Sequence, residues 1–152
     1  MVEVEIMKKL SVILFVLLFA FGANAQTTKS KRQPLPANIA NWQDSFKLVN
    51  NAAVKSRLKK LLGKKGYADF LESWETVNPI VKKGNVLFSS GCLIHACGNV
   101  ESAIAIDLKS KTIHVGIFRD NEKTKYFNEA KRKTPQIVRN WANRLIENKE
   151  RN

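Results

Sequence analysis

The chain has 152 residues, of which 26 are basic and 13 acidic, so its formal net charge is +13. This length suits one domain with one hydrophobic core. The positive balance favours anionic partners, such as nucleic acid, lipopolysaccharide or acidic polymers, and it disfavours long-range attraction to another basic protein.

The first 25 residues have the pattern of an export signal. Lys8 and Lys9 precede an apolar run over residues 10–21, which is shorter than the roughly 20 apolar residues that a bilayer crossing needs. The pattern Ala-Asn-Ala that follows predicts cleavage after Ala25. Residues 1–25 hold two Lys and two Glu, so the remaining 127 residues keep the charge of +13. We expect a periplasmic or secreted protein without stable membrane insertion after cleavage.

Residues 26–38 combine charges, polar side chains and two prolines, which is typical of a flexible basic tether. A single domain is expected over residues 39–152. It should begin with a short helix over residues 41–49 and a longer helix that Gly63 ends as a C-terminal cap. A third helix should close before Pro79, because the residue before proline avoids helical geometry. Apolar residues at helical spacing mark the two longer helices: Val54, Leu58, Leu61, Leu62, Tyr67, Phe70, Leu71 and Trp74.

Beyond Pro79 the apolar period changes to two, which indicates strands. The turn at residues 109–111 should join two of them into a hairpin. Ala103, Ala105 and Gly116 would share the reverse face of this hairpin, where small side chains let another element pack closely. Strands are expected at residues 86–88, 102–108, 112–119 and 123–127.

The C-terminal segment predicts a closing helix, with Thr134 as its cap and Pro135 at its first position. Its apolar positions are Val138, Trp141, Ala142 and Leu145. Together these elements predict an α+β fold in which helices flank an antiparallel sheet. Trp42, Trp74 and Trp141 are expected in the core, although Trp42 lies near the domain start, where exposure is also compatible with the pattern.

The chain's two cysteines, Cys92 and Cys97, lie in the segment SSGCLIHACGN. Because an exported protein meets oxidising conditions, this even pair implies a disulfide. So small a ring adds only about 2 kcal/mol of stability on the loop-entropy model, so we expect its main effect to be local. It would pin a tip at residues 93–96, flanked by Gly91 and Gly98, which permit tight backbone turns.

A stiff loop loses less entropy when it docks into a partner's cleft. His95 is the polar side chain of the tip, and an imidazole can both donate and accept a hydrogen bond or become a cation near pH 6.5. These properties suit a site lined by carboxylates. The alternative is that the disulfide merely closes a surface loop and that His95 has no role.

No metal, cofactor or catalytic machinery is expected. Cys92, His95 and Cys97 supply at most three ligands, and His114 lies in a predicted strand, whereas structural zinc normally takes four ligands. No Gly-rich phosphate loop, serine nucleophile motif, HExxH or pair of catalytic carboxylates is evident in the sequence. We therefore expect a protein that is not an enzyme.

A basic segment runs from residue 55 to residue 66. Its ordinary interpretation is a solvated helix face. The functional one is an anion-binding surface, joined by residues 131–133. Aromatic residues do not alternate with these bases, so stacking on single-stranded nucleic acid is not indicated. The basic side chains of the segment are Lys55, Arg57, Lys59, Lys60, Lys64 and Lys65.

The segment CLIHACG followed by AIAIDLKSKTIHVGIF, over residues 92–118, resembles the Ivy family of bacterial inhibitors of vertebrate lysozyme. In that family a disulfide-closed loop of the form C-K-P-H-x-C protrudes from an α+β domain and plugs the lysozyme active-site cleft through its histidine. Carried over by position, Cys92 and Cys97 would form the staple and His95 the plug, and Gly98 also matches. The Lys-Pro pair of the family is replaced here by Leu93-Ile94.

The resemblance implies an exported inhibitor whose loop blocks a lysozyme or a related peptidoglycan-cleaving enzyme such as a lytic transglycosylase. The charge supports an alternative, a basic module that binds an anionic cell-envelope or extracellular polymer. The sequence leaves the oligomeric state open, a homodimer included. The residues of the expected inhibitory loop are Cys92, Leu93, Ile94, His95, Ala96, Cys97 and Gly98.

Overall fold

An antiparallel sheet of six strands lies at the centre of the structure, a computed structural model that describes residues 32–151. The predicted signal peptide and the first part of the predicted tether lie outside the described residues. Five strands pair in the order β1-β3-β4-β5-β6, and β2 also pairs with β3. The strands are β1 Thr76–Val77, β2 Val81–Lys83, β3 Val86–Cys92, β4 Val100–Asp107, β5 Thr112–Arg119 and β6 Lys125–Asn128.

Three α-helices and two 3-10 turns accompany the sheet within the described range, which confirms the predicted α+β fold. The first two helices begin with side-chain caps. Asp44 accepts a hydrogen bond from the backbone N–H of Lys47, and Asn51 accepts one from that of Ala53. The helices are α1 Ser45–Asn50, α2 Ala52–Glu72 and α3 Gln136–Glu150, and the 3-10 turns are Ile39–Asn41 and Glu129–Lys131.

Gly63 was expected to end a helix, and it does interrupt the helical geometry, so that α2 consists of two helical segments joined by a kink at this residue. Its φ of 68° and ψ of −178° are not helical, yet helical structure resumes after it and continues to Glu72. The helix also ends earlier than the predicted stop before Pro79. The Ser73 hydroxyl donates to the carbonyl oxygen of Phe70, and the chain then turns Trp74 into the core.

The predicted hairpin is confirmed as β4 and β5, which pair along their full length from Val100 opposite Arg119 to Asp107 opposite Thr112. β3 extends four residues beyond the predicted strand, as far as Cys92. Gly91 therefore lies within β3 rather than at a turn. An added Cβ there would approach the carbonyl oxygens of two residues of the neighbouring segment to 3.0 Å, so the glycine allows a close backbone approach.

The two faces of the sheet pack against different helices. One face carries Ile104, Ile106 and Val115, which pack with apolar residues of α2 in the larger core cluster. The opposite face carries Ala103 and Ala105, which pack with apolar residues of α3. The small residues of the hairpin therefore face a helix, as the sequence predicted.

Helix α3 begins one residue later than predicted, and its predicted cap is not used. Pro135 is the N-cap residue, and no side chain caps this end. The Thr134 hydroxyl instead accepts a hydrogen bond from the amide of Asn128 at 3.0 Å. Trp74 and Trp141 are buried as expected, whereas Trp42 is partly exposed.

A buried ion pair joins α2 to the second 3-10 turn. Arg57 and Glu129 are 5% and 8% exposed, and the guanidinium Nε lies 2.9 Å from a carboxylate oxygen of Glu129. Arg57 also donates to the carbonyl oxygen of Lys111 at 2.7 Å. Glu129 accepts a further hydrogen bond from the backbone N–H of Ile113 at 2.9 Å. The pair is thus fully hydrogen-bonded, which buried charges require.

Gly116→Ala is expected to destabilise the domain. A Cβ at this position would lie 2.8 Å from the Trp141 ring and 3.1 Å from the Val138 side chain, so α3 would have to move away from the sheet. Such overpacking costs about 1–3 kcal/mol, measurable by urea unfolding. Gly66→Ala is the control, since its nearest neighbour is a Leu62 carbon at 3.3 Å. An equal or larger loss in the control would contradict this account.

Candidate functional site

The two cysteines form a disulfide that closes the connection between β3 and β4. Cys92 is the last residue of β3 and is buried, whereas Cys97 is exposed. Their Cα atoms lie 5.0 Å apart across a sequence separation of 5. The disulfide thus joins a buried residue of the sheet to an exposed residue of the connection. We call residues 92–98 the stapled loop.

The tip of the stapled loop is a tight turn. The backbone N–H of Ala96 donates to the carbonyl oxygen of Leu93 at 2.9 Å, which places Ile94 and His95 at the two central positions. His95 has a φ of 63°, in the left-handed region that turns of type II require at their third position. Its side chain is exposed, and Ile94 is 50% exposed beside it. The tip therefore presents an imidazole and an apolar side chain together.

Two carboxylates outside the loop accept hydrogen bonds from its backbone. Glu75 accepts from the N–H of Ile94 at 3.1 Å, and Glu101 accepts from the N–H of Gly98 at 2.8 Å. Glu101 also accepts from the indole N–H of Trp141 at 3.2 Å. The loop is therefore tied to the core through α3 as well as through the disulfide.

The base of the loop is held by further backbone hydrogen bonds. The N–H of Leu93 donates to the carbonyl oxygen of Val100 at 3.1 Å. The N–H of Asp120 donates to the carbonyl oxygen of Asn99 at 2.8 Å, which joins the loop to the end of β5. Strands on both sides of β4 therefore support the stapled loop.

Two basic side chains near the loop are paired with acidic ones. Arg119 pairs with Glu72, and this hydrogen bond raises the pKa of the guanidinium. Lys149 pairs with Asp120 and lowers the pKa of that carboxyl. Glu75 has no cationic partner within residues 32–151. These two pairings reduce the positive charge that this end of the domain presents to a basic partner.

His114, the other histidine of the chain, is far from this loop in the sheet register. It is 2% exposed on β5, with ring nitrogens 3.0 Å from the Thr112 hydroxyl and 2.8 Å from the Asn128 side-chain oxygen. Its ring therefore completes a buried polar network. In the part of the chain that the structure describes, no three His, Cys, Asp or Glu side chains cluster in a way that could hold a metal ion.

One of the six bases in the predicted anion-binding segment is not exposed. Arg57 is buried in its ion pair with Glu129 and is not accessible to a ligand. Lys65 pairs with Asp69 at 2.8 Å, and Lys59 lies over the Tyr67 ring. The remaining cations of the segment, Lys55, Lys60 and Lys64, are exposed.

The sequence did not predict that Glu75 and Glu101 support the loop. Glu75 lies 19 positions from Ile94, and Glu101 lies 40 positions from Trp141, so no local pattern connects these pairs. Glu101 and Gly98 are only three positions apart. The only available signal was a charged residue next to the start of a predicted buried strand, and Glu101 shares that property with many ordinary strand ends.

Glu101→Ala is expected to loosen the loop and to destabilise the domain by about 1–3 kcal/mol, because the N–H groups of Gly98 and Trp141 would both lose their acceptor. Urea unfolding and amide exchange at Gly98 measure the two effects. Glu147→Gln, an exposed position on α3, is the control for charge. Unchanged exchange at Gly98 would show that Glu101 does not hold the loop.

No helix among residues 32–151 is long and apolar enough to cross a membrane. No curated protein and no solved structure matches the chain. A family model described as inhibitor of vertebrate lysozyme (Ivy) matches residues 53–148, a range that contains the stapled loop, both carboxylates that hold it, and all six strands. The chain therefore belongs to the Ivy family, a family of exported lysozyme inhibitors rather than enzymes.

Proposed function

We propose that this chain inhibits a lysozyme or a related peptidoglycan-cleaving glycosidase by inserting the stapled loop into the active-site cleft. The observation that carries the proposal is the exposed His95 side chain at the tip of a turn that is closed by a disulfide and held by two carboxylates. The export signal predicted over residues 1–25 would deliver the protein to the periplasm or outside the cell, where such enzymes act.

The chemistry of the target explains the role of His95. Glycoside hydrolysis needs two carboxyl groups on either side of the scissile bond. An imidazole placed between them can hydrogen-bond both, and it occupies the position of the sugar. Ile94, which replaces the family's proline, adds an exposed apolar surface next to the ring. Inhibition would then be steric and electrostatic, without any catalytic step by the inhibitor.

Preorganisation supports the same mechanism. The turn hydrogen bond, the disulfide and the contacts with Glu75 and Glu101 fix the backbone of the tip before any partner arrives. A loop that is already ordered loses less conformational entropy when it binds. The pairing of Arg119 and Lys149 with acidic residues also reduces the repulsion that a +13 chain would otherwise exert on a basic lysozyme.

His95→Gly is the sharpest test of the loop mechanism, since glycine accepts the φ of 63° and removes only the side chain. We expect inhibition to weaken by about 30-fold or more, the loss of a central anchor worth about 2 kcal/mol. The measurement is inhibition of a panel of lysozymes and lytic transglycosylases. His95→Asn, which also tolerates this φ and keeps a donor and an acceptor, should lose less. Equal potency of His95→Gly and the parent would remove His95 from the mechanism.

The double variant Cys92→Ser, Cys97→Ser is expected to weaken inhibition, because the free loop must be ordered on binding. Its stability should fall by about 2 kcal/mol, which is the loop-entropy value for so small a ring. Comparing the loss of inhibition with the loss of stability shows whether the variant inhibits less because its loop is disordered or because the domain unfolds. If the double variant stays folded and inhibits as well as the parent, the disulfide has no role in inhibition.

A further inference from the structure

The two ends of the sheet carry different charges. β4 begins at Val100 beside the stapled loop and ends at Asp107, so these ends are about 24 Å apart for eight extended residues. At the far end, the N–H of Leu108 donates to the carbonyl oxygen of Asn85 at 2.8 Å, which joins two turns. Arg57 joins a third segment by bonding both Lys111 and Glu129. These three segments form one surface opposite the stapled loop.

Eight exposed cations lie on this surface, which we call the basic end. Of these eight cations, only Arg32 lies within ion-pair distance of a carboxylate among residues 32–151. That carboxylate is Glu129, 4.0 Å away, and Arg57 already neutralises it. The basic end consists of Arg32, Lys82, Lys83, Lys109, Lys111, Lys131, Arg132 and Lys133.

Acidic residues at the basic end do not offset this charge. Glu129 is buried under Arg57, and Asp107 is the other carboxylate on these turns. Desolvation alone would raise the pKa of Asp107, but hydrogen bonds from Ser110 and Lys109 lower it. The Asp107 carboxylate thus accepts hydrogen bonds from two N–H groups of the hairpin turn. A large net positive charge remains and is not used by the proposed inhibitory loop.

The shape and composition of the basic end indicate the kind of partner. The cations lie on turns and on an edge strand, and the turns themselves, residues 82–85, 107–111 and 129–133, contain no aromatic side chain. Stacking of nucleobases therefore has no platform there. An extended array of phosphates needs no cleft, and basic surface segments are attracted to anionic lipids. Val81, next to Lys82 and 52% exposed, adds an apolar side chain suited to such an interface.

We propose that the basic end binds the phosphate headgroups of an anionic lipid surface and leaves the stapled loop at the opposite end free to meet its target. Binding of this kind concentrates the inhibitor at an envelope surface. It does not depend on the proposed inhibitory mechanism, because the two activities use opposite ends of the domain.

The test is co-sedimentation of the exported protein with vesicles of phosphatidylglycerol and phosphatidylcholine, compared with vesicles of phosphatidylcholine alone. The variant Lys109→Glu, Arg132→Glu, Lys133→Glu reverses three cations of the basic end. The control Lys64→Glu, Lys123→Glu, Arg144→Glu makes the same charge change at exposed positions elsewhere. We expect the first to bind anionic vesicles roughly tenfold more weakly or worse, and the control to stay within about twofold of the parent.

Both variants should unfold in urea at the same concentration as the parent, which shows that they are folded without reference to inhibition. If the charge reversals unfold the chain, a milder variant replaces them, with the substitutions Lys82→Gln, Lys109→Gln and Lys133→Gln. We expect it also to bind anionic vesicles more weakly than the parent. Equal losses in variant and control would attribute binding to net charge and overturn the proposal. The proposal is also overturned if the parent protein does not bind anionic vesicles, or if the parent binds a single-stranded oligonucleotide more tightly than it binds the vesicles.

Discussion

The stapled loop depends on one constraint, the attachment of Cys97 to a cysteine that is itself part of the sheet. Cys92 pairs with Glu101 in the β3–β4 register, so the sulfur that holds the loop is fixed by a central strand. Glu101 then bonds both the loop and Trp141 of α3. Displacing His95 would therefore require a change in the core, because the loop, the sheet and α3 share these contacts.

The proposed function requires so basic a chain to bind a lysozyme, and segregation of charge within the domain would permit this. Electrostatic attraction or repulsion at contact is governed by the groups near the interface, since salt screens exposed charges beyond roughly 8–10 Å. Near the loop, Arg119 and Lys149 are paired with acidic residues. The eight cations of the basic end lie about 24 Å away, at the far end of β4. Net charge alone is a poor guide to the partner of such a domain.

Local patterns in the sequence predicted the parts of the fold that local interactions determine. The β4–β5 hairpin follows from alternation around a short turn, and the disulfide follows from two cysteines in an exported chain. Arg57 was placed on a solvated helix face because its partner Glu129 is 72 positions away. The helix end at Glu72 was missed for a similar reason, since Ser73 and Trp74 turn toward strands that lie later in the chain.

The backbone of His95 links the energetics of the loop to its proposed action. A left-handed conformation costs a residue with a side chain about 1–2 kcal/mol, so an isolated peptide of this sequence would largely avoid it. The disulfide and the turn hydrogen bond from Ala96 offset this cost in the folded domain. A target that binds the tip in this conformation need not supply that energy. The strained residue is thus also the one whose side chain is exposed, as expected where strain serves a binding role.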